Sequence, residues 1–146
     1  MFHKLTTLFL LLSLPLLAQD SKPNFSGTWL CKMKYYRERD RINHNDPEFR
    51  ISEVVGRADI IYELVFQTDG RYLEQDRGAV NVVRTGRWEG QTLILETKLT
   101  RDGAVSTTRE EFSLSEDGKV MTKIVHFSGS HGKRNQNLEF QKMPDN

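Results

Sequence analysis

Short turn signals recur along this sequence at nearly even spacing, and they constrain its fold more than any other feature. They are glycine-centred, three of them Asp-Gly pairs, which tolerate the positive φ that tight hairpin turns require. The runs between them are rich in Val, Ile, Thr, Phe and Tyr and carry no helical period. The pattern predicts an all-β chain, an antiparallel up-and-down meander of eight or nine strands. The signals are "TDGR" (68–71), "WEGQ" (88–91), "RDGA" (101–104), "EDGK" (116–119) and "SGSHGK" (128–133).

Alternation within the runs predicts which residues face the core, because successive side chains of a strand point to opposite faces. One apolar face over so many strands favours closure of the sheet into a barrel, which removes exposed strand edges. The residues predicted to face inward are Phe25, Trp29, Cys31, Met33, Tyr35, Tyr62, Leu64, Phe66, Leu93, Leu95, Leu99, Phe112, Leu114, Leu138 and Phe140.

One segment departs from this pattern: "YYRERDRINHNDPEF", residues 35–49. It is polar and dense in charge, and Asp46-Pro47 ends it. We interpret it as a connection between the first and second strands, either a solvated loop with at most one helical turn or a lid over one barrel end. Long loops between strands that are otherwise joined by short turns are often functional.

The first 18 residues have the layout of a secretory signal peptide. Lys4 precedes an apolar run from Leu8 to Leu17, and Ala18 stands before a polar chain. The run is shorter than the roughly 20 residues of a spanning helix. We therefore expect cleavage after Ala18, a mature β domain of residues 19–146, and a periplasmic or secreted location.

Charge and cysteine content narrow the class of protein. Lys4 is the only Lys, Arg, Asp or Glu within residues 1–18, so cleavage reduces the 21 basic residues to 20, equal to the 20 acidic ones. A neutral chain gives no electrostatic reason to expect a nucleic-acid or anionic-membrane partner.

Cys31 is the single cysteine, so an internal disulfide is excluded, which suits a bacterial periplasm. Charged strands such as "TKLTRDG" also argue against an outer-membrane barrel, whose outward band is apolar.

Three motifs together resemble a known family. "FSGTW" near the predicted mature N-terminus, "WEGQTLIL" (88–95) and "FSLSEDGKVMT" (112–122) are similar to small secreted lipocalin-like proteins of environmental bacteria, notably Acidobacteria. This resemblance implies a lipocalin-like barrel, distantly similar to lipocalins and fatty-acid-binding proteins. In those families a Gly-x-Trp on the first strand forms the barrel floor, which Gly27 and Trp29 match here. An arginine often lies over the indole, and Arg134 is our candidate for it. The Arg-x-Tyr pair of fatty-acid-binding proteins is absent from "RNQNLEF" (134–140).

The candidate ligand-binding residues follow from the inward phase. Arg84, Glu110, Gln136 and Arg134 share the face of the apolar residues, where an arginine could hold a ligand carboxylate. Two alternatives are an internal Arg-Glu pair and a one-residue bulge that turns these side chains to solvent. The predicted ligand-binding set is Tyr35, Tyr62, Phe66, Arg84, Leu95, Glu110, Phe112 and Arg134, with Gly27 and Trp29 as structural floor residues.

No catalytic or metal motif stands out in the sequence. There is no Gly-x-Ser-x-Gly, a buried Cys31 is expected to be inert, and His44, His126 and His131 show no metal-ligand spacing. His44 with Asp46 could bind a metal only adventitiously. We expect no cofactor, no catalytic residue and a small, lipophilic ligand in the barrel. The alternatives are a filled barrel acting through its surface as an envelope interaction module or inhibitor, and a hydrolase or isomerase that uses Glu110. The sequence leaves the oligomeric state open.

Overall fold

The computed structural model describes residues 21–33, 38–55 and 60–145. The predicted signal peptide, its cleavage site and Tyr35 lie outside these residues. No helix in the described ranges is long and apolar enough to cross a membrane. The described residues form ten strands: β1 (Gly27–Cys31), β2 (Glu38–Asn45), β3 (Glu48–Val55), β4 (Ile60–Gln67), β5 (Leu73–Asp76), β6 (Val80–Glu89), β7 (Thr92–Arg101), β8 (Ala104–Leu114), β9 (Val120–Gly129) and β10 (Gly132–Lys142).

The strands form one antiparallel sheet that closes almost completely into a barrel. Its order is β4-β3-β2-β1-β10-β9-β8-β7-β6-β5, so β10 returns to pair with β1. The edge strands β4 and β5 are not hydrogen-bonded to each other. The connection between them instead runs over β6, where the Gly70 amide donates to the Gly86 carbonyl at 2.9 Å. The predicted meander and barrel are therefore confirmed.

One strand that the sequence did not predict, β2, brings the count to ten instead of the predicted eight or nine. The segment 35–49, interpreted as a loop or lid, contains β2, a turn at 46–47 and the start of β3. Glu38, Asp40, Ile42 and His44 are buried while the residues between them are exposed. This is a strand with period two, and the prediction failed because three of its four inward residues are polar or charged. They are tolerated there because a buried lysine on β9 pairs with the carboxylates.

One end of the barrel, here called the floor, is filled with apolar side chains. It lies beside the turns at 46–47, 90–91 and 115–119. Trp29 is fully buried and its Nε1 donates to the Phe25 carbonyl at 2.8 Å. The rings of Phe25, Phe49 and Phe112 meet edge to face, at centroid distances of 5.6–6.1 Å. The core comprises Phe25, Trp29, Cys31, Ile42, Phe49, Ile51, Phe66, Leu93, Leu95, Phe112, Met121, Leu138 and Phe140.

The cation over the floor indole is not the one we expected. Lys142 Nζ lies 5.6 Å from the Trp29 ring centroid, whereas Arg134 lies over Phe127, with Cζ 5.2 Å from the centroid. The register explains the difference, because Trp29 pairs with Lys142 at the end of β10 and Arg134 stands near its start.

The opposite barrel end, here called the mouth, lies beside the turns at 77–79, 102–103 and 130–131.

A group of hydrogen bonds around His44 stabilises the floor. The Phe25 amide donates to His44 Nδ1 at 3.3 Å, so Nε2 carries the proton that bonds Asp46 Oδ1 at 2.9 Å. Thr68 Oγ1 donates to the same oxygen at 2.6 Å. Burial alone would raise the pKa of Asp46, but the hydrogen bonds from Thr68 and His44 hold it below its usual value. His44 and Asp46 thus join the end of β2 to Thr68, the residue that follows β4, which is a structural role.

Candidate ligand-binding site

A cluster of charged residues forms the boundary between the filled floor half and the mouth half. Lys123 on β9 is 2% exposed and lies above the core, with Nζ 5.7 Å from the Phe112 ring centroid and 5.8 Å from that of Phe140. Four carboxylates surround this ammonium group. The Nζ to oxygen distances are 2.9 Å to Glu53, 3.1 Å to Glu38, and 3.4 Å to both Asp40 and Glu110. We call these five residues the Lys123 cluster.

The cluster cannot hold all its carboxylates ionised, because four negative charges face one positive charge in a buried setting. Burial raises the pKa of Asp40 to about 8, more than the attraction of Lys123 lowers it. Burial likewise raises the pKa of Glu110. Burial alone would lower the pKa of Lys123, but Glu110 and the other carboxylates keep it well above its usual value. Lys123 is therefore a fixed cation and a poor nucleophile.

The cluster also contains a set of carboxylates spaced as in metal sites. One oxygen each from Glu38, Asp40 and Glu53 lies within 4.8 Å of the others. The Lys123 ammonium contacts all three residues, so it supplies the positive charge that a metal ion would otherwise bring. The arrangement stabilises an internal ammonium group.

Above the cluster the inner face of the barrel is open. One cavity, of about 450 Å³, is lined by Thr108, Val125, Phe127, Arg134, Asn135 and Gln136. Another, of about 530 Å³, lies nearer the mouth beside Leu99, Ser106 and Phe127. Residues directly opposite in an antiparallel pair share a face. Phe127 pairs with Thr108 and Arg134, and Val125 pairs with Glu110 and Gln136, so these side chains share the phase of the core. We call these two cavities together the mouth cavity.

Two arginines lie at opposite ends of one row of paired residues. This row runs Arg134, Phe127, Thr108, Thr97, Arg84 across β10 to β6. Arg84 donates from Nη1 to Gln75 at 3.3 Å, and its Nε has no hydrogen-bond partner. Burial, followed by the charge of Arg77, lowers the pKa of Arg84. Within the described ranges neither Arg84 nor Arg134 forms a salt bridge, so the predicted Arg-Glu pair is replaced by the pair of Glu110 with Lys123. The alternative of a bulge is also wrong for these strands, whose register is continuous.

The predicted ligand-binding residues fall into separate places. Phe66, Leu95 and Phe112 are fully buried in the floor core, below the Lys123 cluster, and do not line the mouth cavity. Glu110 belongs to the cluster itself. Tyr62 is on the inward phase, opposite Glu53, but is 56% exposed because β4 is an edge strand. Arg134 is the predicted residue that lines the mouth cavity.

Several residues of the site were not found from the sequence. Phe127, Val125, Thr108 and Ser106 line the cavity but were not singled out. Lys123 was missed although it stands on the inward phase between Met121 and Val125. The strict alternation in "ERDRINHN" (38–45) was the signal that could have revealed β2 and its inward acids.

Comparisons with known proteins agree on the fold. No protein-family model matches this sequence. No curated protein matches it in sequence either. A crystal structure of zebrafish ileal bile acid-binding protein complexed with cholic acid is similar over 82% of this chain and 98% of that one, with a TM-score of 0.58 and 13% identity. Secretory abundant heat soluble protein 4 of Ramazzottius varieornatus is similar over 85% and 97%, with a TM-score of 0.55 and 11% identity. The chain therefore has the barrel fold of the lipocalin and fatty-acid-binding protein type.

Proposed function

We propose that this protein binds a small lipophilic molecule in the mouth cavity. The observation that carries the proposal is the division of the barrel into a solid half and an open half. Cavities of about 450 and 530 Å³ exceed the roughly 300 Å³ at which small-molecule sites begin. A filled barrel would contain no such space. The fold neighbour from zebrafish is complexed with cholic acid, which also supports a lipophilic ligand.

The chemistry of the walls suggests how such a ligand would be held. Phe127, Val125 and Leu99 offer apolar surface whose burial favours binding by roughly 25 cal/mol per Å². Arg134, at the edge of the cavity, has no carboxylate partner in the described residues and would orient a polar or anionic end of the ligand. The Lys123 cluster lies below as a rigid charged base, so an apolar ligand is expected to stop above it.

Neighbouring residues on β10 provide the test. Gln136 lines the mouth cavity, whereas Asn137 is exposed on the other face of the strand. We expect Gln136→Trp to narrow the cavity and weaken binding of a neutral apolar fluorescent probe, while Asn137→Trp leaves the dissociation constant unchanged. Native mass spectrometry of the protein from its own host would identify the bound molecule. Failure of the unmodified protein to bind the probe, or equal binding by both variants, would contradict the proposal.

We also infer that the protein is exported, with residues 1–18 as its signal peptide. The support is the lysine, apolar run and small residue in that segment. Fractionation of the host followed by N-terminal sequencing tests this inference separately. A mature chain beginning at Gln19 is the expected result, and an intact Met1 in the cytoplasm would refute it.

A further inference from the structure

A second concave surface lies on the outer face of the sheet, and three of its lining residues, Thr108, Phe127 and Asn135, also border the mouth cavity. Its volume is about 640 Å³. Buried Leu95 on β7 faces inward, so Glu96 and Lys98 on the same strand face outward, and their pairing partners share that face. We call this surface the outer groove. It is lined by Tyr72, Val83, Thr85, Glu96, Thr97, Lys98, Thr107, Thr108, Arg109, His126, Phe127, Ser128, Lys133 and Asn135.

One row of paired residues gives the outer groove a positive end. The row runs Val83, Lys98, Thr107, Ser128, Lys133 across β6 to β10. Two lysines thus flank two hydroxyl groups. The row continues beyond Val83 to Glu74 on β5, which accepts a hydrogen bond from Asn81 at 2.7 Å. Three strand spacings separate Lys98 from Lys133, about 14 Å between Cα atoms, so two extended side chains can reach over the hydroxyls between them.

The lysines of this row are uncompensated, unlike the charges of the adjacent row. Glu96 bonds Arg87 at 2.6 Å, and Glu111 lies 3.2 Å from Arg109 and 3.3 Å from His126. Within the described residues neither Lys98 nor Lys133 forms a salt bridge. The adjacent row is therefore nearly neutral, and the two lysines leave a local charge of about two with hydroxyl donors between them.

The other end of the groove is apolar and aromatic. Tyr72 is 74% exposed and lies beside Val83 and Thr85 along the groove. An exposed tyrosine ring offers a face for a second planar group. The groove therefore has an aromatic end near β5 and β6 and a doubly cationic end that extends to β10.

We propose that the outer groove binds a small aromatic phosphate monoester. A phosphate monoester carries a charge of about −1.5 to −2 at neutral pH, which matches the two uncompensated lysines. Its oxygens accept hydrogen bonds from Lys98, Lys133, Thr107 and Ser128. Its aromatic body lies toward Val83 and Tyr72. None of the residues proposed to contact this ligand lines the mouth cavity, so the two binding events can be measured separately.

NMR titration with phenyl phosphate tests the site. Amide shifts are expected at Lys98, Thr107, Ser128 and Lys133. Inorganic phosphate should shift the same four amides at higher concentration, because it lacks the ring. No saturable shift with phenyl phosphate, or equal affinity for the two probes, would overturn the proposal.

Variants sharpen the assignment. The double variant Lys98→Gln/Lys133→Gln should raise the Kd for phenyl phosphate about tenfold or more, and Lys119→Gln, which removes an exposed lysine at the floor end, should not. Tyr72→Ala should weaken phenyl phosphate without altering inorganic phosphate. Binding of the neutral apolar probe should be unchanged in all of these variants, so failure here is distinguishable from failure of the proposed function. Equal Kd values for the double variant and Lys119→Gln would show that the charge assignment is wrong.

Discussion

Lys123 joins four strands of the barrel interior through its charge. It contacts two acids of β2, one of β3 and one of β8, so it joins sheet regions that are distant in sequence. Leaving buried carboxylates without their cation is far more costly than never burying them. The side chain therefore explains why a strand with charged inward residues, β2, can lie against an apolar core.

Lys123→Met is expected to lower the free energy of unfolding by about 3–5 kcal/mol at pH 7, because an uncompensated buried charge remains. The loss should be smaller at pH 5, where more of the four carboxyl groups are protonated. Urea denaturation at both pH values measures this. Lys32→Met is the control, since Lys32 pairs with Glu139 at the surface and such a pair contributes about 0–1 kcal/mol. Equal losses for the two variants would contradict the role of the cluster.

Among the elements, β6 determines how the barrel closes where β4 and β5 do not pair. Gly86 has no side chain, which lets the connection after β4 pass directly over it. A Cβ built at Gly86 would lie 3.0 Å from Leu95 Cδ2 and 3.1 Å from the Gln67 carbonyl oxygen. Its backbone is not in the left-handed region, so the need for glycine here is one of space.

Gly86→Ala should therefore force β4 and β6 apart and destabilise the protein by about 1–3 kcal/mol, as overpacking does. Thr107→Ala, at an exposed outward position of β8, is the control and should change stability by less than about 1 kcal/mol. Thermal unfolding of both variants supplies the comparison, and hydrogen exchange should locate the loosening at residues 67–70. A fully stable Gly86→Ala would show that the connection can move without cost.

At the scale of the whole molecule, the floor and mouth halves have opposite physical characters. The floor half is filled with apolar side chains, many of them aromatic, and the mouth half exposes both faces of long strands. The acids of the Lys123 cluster lie at the boundary between the halves. Two of them, Asp40 and Glu110, have raised pKa values. Global stability is therefore expected to depend on pH in a predictable direction.

Between pH 4 and pH 8 the folded protein binds more protons at Asp40 than the unfolded chain does, since the folded pKa is about 8 and the ordinary value is 3.8. Stability should therefore fall as pH rises through this window, by at most about 1.4 kcal/mol per pH unit for one such group. Glu110 acts in the same direction. Asp46, whose pKa is lowered, acts below this window, where its contribution is lost as pH falls.

Asp40→Asn removes this titration and should flatten the decline in the free energy of unfolding between pH 5 and pH 8. Denaturant midpoints across that range measure it. Asp69→Asn, at an exposed turn, is the control and should keep the slope of the unmodified protein. A slope that is unchanged in Asp40→Asn would show that Asp40 does not hold a proton in the folded state.

The sequence alone determined the antiparallel meander and the core of the floor. Period-two alternation and Asp-Gly turns are local properties, and they fixed the inward phase of Trp29, Leu95 and Phe112 correctly. They also placed Arg84, Glu110 and Arg134 on the inner face, as the register has them.

Only the tertiary structure decided which inward residues meet. Phase gives the face of a side chain, not its depth along the barrel, so Leu95 and Phe112 could not be assigned to the solid half or Phe127 to the open half. The partner of Glu110 is Lys123, one strand away but matched by the stagger of the sheet, and the partners of Lys123 on β2 and β3 are 70 to 85 residues distant in sequence. Burial of a charge depends on such long-range pairing. The sequence of β2 therefore resembles that of a loop, because its pairing with Lys123 is not visible in the sequence.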